Sequence, residues 1–124
     1  MRSKILLVDD HEVVRRGVKT LLTGVNGWEI CGEAQNGEEA VQKVLDLKPD
    51  LVILDISMPV MNGFEAARQI RRIAPNTKIV IFSMHDSAQI AQQAKEAGAH
   101  ACLVKAAAAS ELHKTISSLL DSKN

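Results

Sequence analysis

Residues 51–59, LVILDISMP, set four apolar side chains in a row, Leu51 to Leu54, and follow them at once with the carboxylate of Asp55. The run does not alternate with polar residues, so it reads as a strand buried on both faces, the pattern of a parallel sheet covered by helices. A carboxylate at the end of such a strand loses on the order of several kcal/mol if it is desolvated without a partner. Asp55 therefore needs a cation or a chemical use.

Similar runs lie on either side of it, at Ile5 to Val8, Ile79 to Phe82 and Ala101 to Val104, with a weaker one at Trp28 to Cys31. The segments between them carry helical spacing: Val14, Val18, Leu21 and Leu22; Val41, Val44 and Leu45; Ala66, Ala67, Ile70 and Ile73; Ile90, Ala94 and Ala97; Leu112, Ile116, Leu119 and Leu120. Asn36-Gly37 and Asn62-Gly63 precede the second and third helices, Pro49 and Pro75 follow them, and Gly98 closes the fourth. Strict βα alternation of this kind predicts an α/β fold: a doubly wound parallel sheet with helices on both faces, joined by right-handed crossovers.

The chain has 124 residues, 46% apolar and 24% charged, enough for one domain that buries a core without disulfides. The domain is expected to span residues 1–121, with 122–124 beginning a linker or tail. Fifteen basic and fifteen acidic residues cancel, which gives this domain no electrostatic case for binding nucleic acid or an anionic membrane. No apolar run reaches the length of a membrane span, and two aspartates follow the first apolar stretch too soon for a signal peptide, so a cytoplasmic protein is expected. Cys31 and Cys102 lack CxxC spacing and fall in strand-like runs, which predicts buried, reduced, structural thiols.

In an open doubly wound sheet, ligands bind outside the carboxyl ends of the strands. The first strand ends in Asp9 and Asp10, the third in Asp55, the fourth in Ser83 and the fifth in Lys105. If the strand order is 2-1-3-4-5, strands one and three are neighbours and three carboxylates crowd together. Two unit charges about 4 Å apart repel by roughly 4 kcal/mol at an effective dielectric near 20. Lys105 supplies one compensating charge, and a hard divalent ion such as Mg²⁺, which accepts one or two carboxylates and keeps several waters, supplies two.

These residues carry a likeness. VDDHEVVRRGV (8–18), LVILDISMPVMNGFE (51–65), IVIFS (79–83) and GAHACLVK (98–105) resemble the receiver domain of bacterial two-component response regulators. The opening with His11 and Arg15 is most similar to the subgroup whose receivers precede a LuxR-type helix-turn-helix DNA-binding domain. The resemblance implies a (βα)5 flavodoxin-like three-layer sandwich of strand order 2-1-3-4-5. It implies that Asp55 accepts a phosphoryl group from the phosphohistidine of a sensor histidine kinase. It further implies that Asp10, Asp55 and the Ser57 carbonyl hold Mg²⁺, with Asp9 assisting through water, and that Lys105 and the Ser83 hydroxyl bind the phosphoryl oxygens. Ser57 and His85, each two residues beyond a site residue, are implied to modulate how fast water reaches the phosphoryl group. Such a protein phosphorylates itself and slowly loses the group, without being a turnover enzyme. It switches an output, here transcription through a C-terminal DNA-binding domain, with homodimers formed through helix faces.

Taken singly, each residue has a plainer reading. Asp9 and Asp10 would serve as an N-cap pair, Ser83 as a turn residue and Lys105 as a solvated charge; only their joint position at strand ends favours a site. His11, His85, His100 and His113 lack metal-ligand spacing and read as surface residues, and Met58, Met61 and Met84 as loop packing. Two positions depart from the family pattern. Ala106 stands where many receivers have proline, which favours a trans Lys105–Ala106 peptide, and Cys102 stands where receivers usually carry the aromatic switch residue. Two other functions compete: a pseudo-receiver that only binds partners, and a Mg²⁺-dependent aspartate-nucleophile phosphatase. The latter resembles Asp-x-Asp, with a second carboxylate as general acid, whereas this chain has Asp55-Ile56-Ser57.

Overall fold

The computed structural model describes residues 2–121. Along the chain β1 (Ser3–Val8), α1 (Glu12–Leu22), β2 (Trp28–Ala34), α2 (Gly37–Leu47), β3 (Leu51–Asp55), α3 (Gly63–Ile73), β4 (Lys78–Ser83), α4 (Ala88–Glu96), β5 (Ala101–Val104) and α5 (Ala108–Asp121) alternate, with a 3₁₀ turn at Lys105–Ala107 leading into α5. The five strands form one parallel sheet of order β2-β1-β3-β4-β5, the doubly wound arrangement implied by the sequence.

The apolar runs have no polar face because both faces are covered. Leu6, Val8, Val52, Leu54, Ile79 and Ile81 point toward Ala40 and Val44 of α2, Ala66 and Ile70 of α3, and Ala94 of α4. The residues between them, Ile5, Leu7, Leu51, Ile53, Val80 and Phe82, pack against Val18 and Leu22 of α1 and Leu112, Ile116 and Leu120 of α5. Successive side chains of a strand point to opposite faces, so one continuous run fills two cores. The Asn-Gly signals act as read: the Asn36 and Asn62 side chains accept hydrogen bonds from the backbone N–H groups of Glu39 and Glu65, at 2.8 and 2.9 Å, and so cap α2 and α3.

Several sequence expectations need correction. β2 does not stop at Cys31 but runs to Ala34. Gly32 and Glu33 break its apolar pattern, which an edge strand with one open flank tolerates. For the same reason Cys31 and Cys102, on the edge strands β2 and β5, are only half-buried. Met58 and Met61 do pack against the core, whereas Met84 is largely exposed. The Lys105–Ala106 peptide is trans, as Ala106 led us to expect. The expected linker at 122–124 lies outside the described residues.

Register brings the strand ends level. Val8 lies opposite Leu54, Asp55 opposite Phe82, and Ser83 opposite Val104. Asp9, Asp55, Ser83 and Lys105 therefore all emerge at one edge of the sheet.

Candidate functional site

The carboxyl edge of β1 and β3 holds two buried carboxylates. Asp9 and Asp55 are each 3% exposed. The backbone N–H of Asp9 still donates to the Ala34 carbonyl, extending the ladder with β2 by one bond, and its Oδ1 accepts from the His11 backbone N–H at 2.8 Å. Lys105, reaching in from the end of β5, places its Nζ 3.0 Å from Asp9 Oδ2 and 3.0 Å from Asp55 Oδ1. Asp10 sits on the exposed rim instead. His11 Nδ1 stands 3.0 Å from Asp10 Oδ1 and 3.1 Å from Asp9 Oδ1. One potential ligand atom from each of Asp9, Asp10, His11 and Asp55 falls within 4.8 Å of all the others.

The charges do not balance, and the ionisation of the two central groups records it. Burial holds the Asp55 carboxyl above its ordinary range, with repulsion from Asp9 and Asp10 acting in the same sense and Lys105 against it. Burial alone would draw the Lys105 ammonium down, but its hydrogen bonds to Asp55 and Asp9 hold it above the usual lysine value. Both shifts are upward for different reasons: burial outweighs the lysine at Asp55, while two carboxylate partners outweigh burial at Lys105. A donor set of carboxylate oxygens in excess of fixed cations is the chemistry of a hard divalent ion, and the site fits one.

The remaining expected residues are placed more loosely. Ser83, also buried, has its hydroxyl committed within its own loop, donating to the His85 carbonyl at 2.7 Å and accepting from the His85 backbone N–H at 3.1 Å. The His85 and Ser57 residues are exposed. Cys102 pairs with Ile81 inside β5 and packs beside the core shared with α4, its thiol pushed up by burial. The loop after β3 is tightly built. Val60 takes a positive φ of 68°, where a β-branched residue is strained, and the Met61 N–H donates to the Pro59 carbonyl at 2.7 Å. Gly63 lets α3 start against β3: a Cβ there would lie 2.3 Å from the Asp55 carbonyl oxygen.

Sequence reasoning missed two contributors. His11 is exposed, as read, yet its ring also neighbours both β1-end carboxylates, and Arg15 donates from its Nη1 to the Asp9 carbonyl. The spacing of His11 and Arg15, one helical turn apart at the start of α1, is the signal that could have placed both near the site.

Comparisons with known proteins agree with this geometry. A family model described as the response regulator receiver domain matches residues 5–117. The chemotaxis protein CheY of Thermotoga maritima is 43% identical over 105 residues, covering 85% of this chain and 87% of that protein. The response regulator UvrY of Escherichia coli is 38% identical over 115 residues, covering 93% of this chain but 53% of the relative, so the chain spans about half of that regulator's length. Among solved structures, a LuxR-family two-component response regulator from Aurantimonas sp. SI85-9A1 superposes with a TM-score of 0.92 at 34% identity, covering 98% of this chain and 87% of that one.

Proposed function

The chain belongs to the response regulator receiver domain family of two-component systems, and from that premise we propose that Asp55 is its phosphoacceptor. The observation that supports this best is the position of Lys105, whose Nζ lies 3.0 Å from Asp55 Oδ1 and 3.0 Å from Asp9 Oδ2. An ammonium fixed beside a buried carboxylate offers a ready counter-charge for phosphoryl oxygens arriving at that carboxylate.

In this reading an Asp55 oxygen forms the new bond to phosphorus while the bond to the donor, a kinase phosphohistidine, breaks, and the departing imidazole takes up a proton. Asp10, Asp55 and the Ser57 carbonyl would hold Mg²⁺, with Asp9 assisting through water. Bound there, the ion neutralises charge on the transferring oxygens. Lys105 moves its hydrogen bond from the carboxylate to a phosphoryl oxygen. The Ser83 hydroxyl, now donating to His85, must break that bond to donate to the phosphoryl group, and the loop from Ser83 to Ser87 moves with it. Ser57 and His85 border the path of hydrolytic water and set the lifetime of the acyl phosphate. Cys102 lacks the volume of an aromatic relay, so the signal passes through the Ser83 loop into α4. Amide exchange changes confined to residues 101–104 on adding beryllofluoride and Mg²⁺ would contradict that route.

The same reading gives a self-phosphorylating signalling unit of residues 1–121, with a linker from 122. Its partners are a sensor histidine kinase in the cytoplasm, a C-terminal DNA-binding domain, and a second copy docking through helix faces. Ser57 stands where a phosphatase of the aspartate class would need its second carboxylate, which leaves that chemistry without a general acid. The test is intact mass after incubation with acetyl phosphate and Mg²⁺. One phosphoryl group should add to the wild type and none to Asp55→Ala; an undiminished mass gain in the variant removes Asp55 from the role.

A further inference from the structure

The contacts of Arg15 reach beyond its own helix. Its side chain is 11% exposed, its Nε donates to Glu33 Oε1 at 2.9 Å, and its Nη1 donates to the backbone carbonyl of Asp9. That carbonyl needs an outside donor. Asp9 N–H still reaches Ala34, but β2 ends there and the chain turns into the Asn36 cap of α2, so on that side of β1 the ladder offers no further β2 N–H. A buried carbonyl left unpaired at this point would be free to rotate its peptide plane, and that plane also carries Asp10.

Glu33 is held in turn. Lys19 Nζ lies 2.7 Å from Glu33 Oε2, and Lys43 Nζ donates to the Glu33 carbonyl. The Lys19 hydrogen bond, with Arg15 adding to it, keeps the Glu33 carboxyl below its ordinary range despite burial. Glu33 thus occupies a guanidinium that, left without it, would be available to pair with a site carboxylate and compete with an incoming cation.

We propose that Arg15 is a positioning residue for the acidic centre: its guanidinium fixes the Asp9 carbonyl, and Glu33 keeps that guanidinium off the carboxylates, so that Asp9 and Asp10 face a cation. The proposal rests on the reading of that centre as a metal-dependent phosphoacceptor and assigns one residue's part in it. It makes a prediction opposite in sign to simple electrostatics. Removing a positive charge near a cation site should tighten cation binding, whereas removing a positioning group should weaken it, by about tenfold for a partner one step outside the ligands.

The experiment titrates Mn²⁺ against the full chain, following free ion by electron paramagnetic resonance, for wild type, Arg15→Met and Lys19→Met. Lys19→Met removes a charge from the same Glu33 without touching the Asp9 carbonyl. Arg15→Met should bind Mn²⁺ about tenfold more weakly, while Lys19→Met binds equally or more tightly. In acetyl phosphate reactions the half-saturating Mg²⁺ concentration should rise for Arg15→Met with the limiting rate at saturating Mg²⁺ retained. Arg15→Met binding as well as or better than wild type overturns the proposal, and so does a loss of limiting rate with no change in metal dependence. If Arg15→Met does not fold, Arg15→Lys, whose single ammonium cannot serve both acceptors, is read by the same criteria. Wild-type protein that neither binds Mn²⁺ nor gains mass at Asp55 overturns the reading of the centre itself, a failure distinct from equal affinities.

Discussion

Lys105 Nζ meets Asp55 Oδ1 at 3.0 Å although their strands, β5 and β3, are separated by β4. Neighbouring strands lie about 4.8 Å apart, so the bridge spans roughly 9 to 10 Å, a distance that calls for a long, unbranched side chain. The ammonium reaches past Asp55 to Asp9, just beyond β1, as well, which ties the ends of β1, β3 and β5 together at one edge. On the proposed reading of the site, signalling and stability draw on the same ion pairs.

Lys105→Met should leave two buried carboxylates without their cation. Breaking a buried pair from one side costs about 3 kcal/mol, which urea unfolding at pH 7 in EDTA would measure. In the wild type the lysine's contribution is complete below the ordinary lysine pKa and disappears as pH rises through the higher value of the folded state. The cost of the substitution should therefore shrink on the alkaline side. A loss under about 1 kcal/mol at pH 7 would mean that solvent already compensates these carboxylates.

Asp55→Asn should stabilise the metal-free protein at pH 7. Burial and like charge raise the folded-state pKa of Asp55, so the native form binds its proton more readily than the unfolded chain. Ionised Asp55 is thus a destabilising group at neutral pH, and the penalty is relieved as pH falls through the raised value. The variant's gain, on the order of 1 kcal/mol, should vanish under acid. Asp10→Asn should gain less, because Asp10 lies on the exposed rim beside His11. Thermal melts of both variants from pH 4 to 8 in EDTA check this ordering; a falling melting temperature for Asp55→Asn at pH 7 would contradict it.

His100 closes the start of β4 against the entrance to β5. Its ring Nδ1 accepts from the Ile79 backbone N–H at 3.0 Å, and the His100 backbone N–H donates to the Ile79 carbonyl at 2.8 Å. Burial, with Lys78 and Arg71 adding, holds its pKa below 6.5. The neutral ring's contribution is therefore whole above that ordinary value and is lost as pH drops through the folded-state one. The ring is partly open to solvent, so the effect should stay under about 1 kcal/mol. His100→Asn, which keeps an acceptor but cannot titrate, should flatten the stability profile below pH 6.5. An unchanged profile would assign the slope to other groups.

Gly63→Ala should cost about 3 kcal/mol by overpacking. The added Cβ would meet the backbone carbonyl oxygen of Asp55 at 2.3 Å, an atom no side-chain rotation can move away, so α3 or the end of β3 must shift. Because Asp55 itself would move, the rate of acetyl phosphate labelling should fall with stability. Full labelling rate in a destabilised variant would show that α3 yields and β3 does not.

By itself the sequence determined the βα alternation, since apolar runs, helical spacing and Asn-Gly caps are local properties of the chain. It also identified Asp9, Asp10, Asp55, Ser83 and Lys105 as strand-end residues, because a polar group after a buried strand is legible one strand at a time. Tertiary structure alone decided which carboxylate is buried. Asp9 and Asp10 are adjacent letters, yet the direction of one peptide plane sends Asp9 inward to Lys105 and Asp10 to the rim with His11. It also decided that the Ser83 hydroxyl rests on His85, that Arg15 serves the Asp9 carbonyl, and that β2 carries its ladder through Gly32 and Glu33. Those outcomes depend on where other strands end and on what stands across the gap. Lys105 and Asp9 are 96 positions apart in the chain, and only the order and register of the sheet bring them within 3.0 Å.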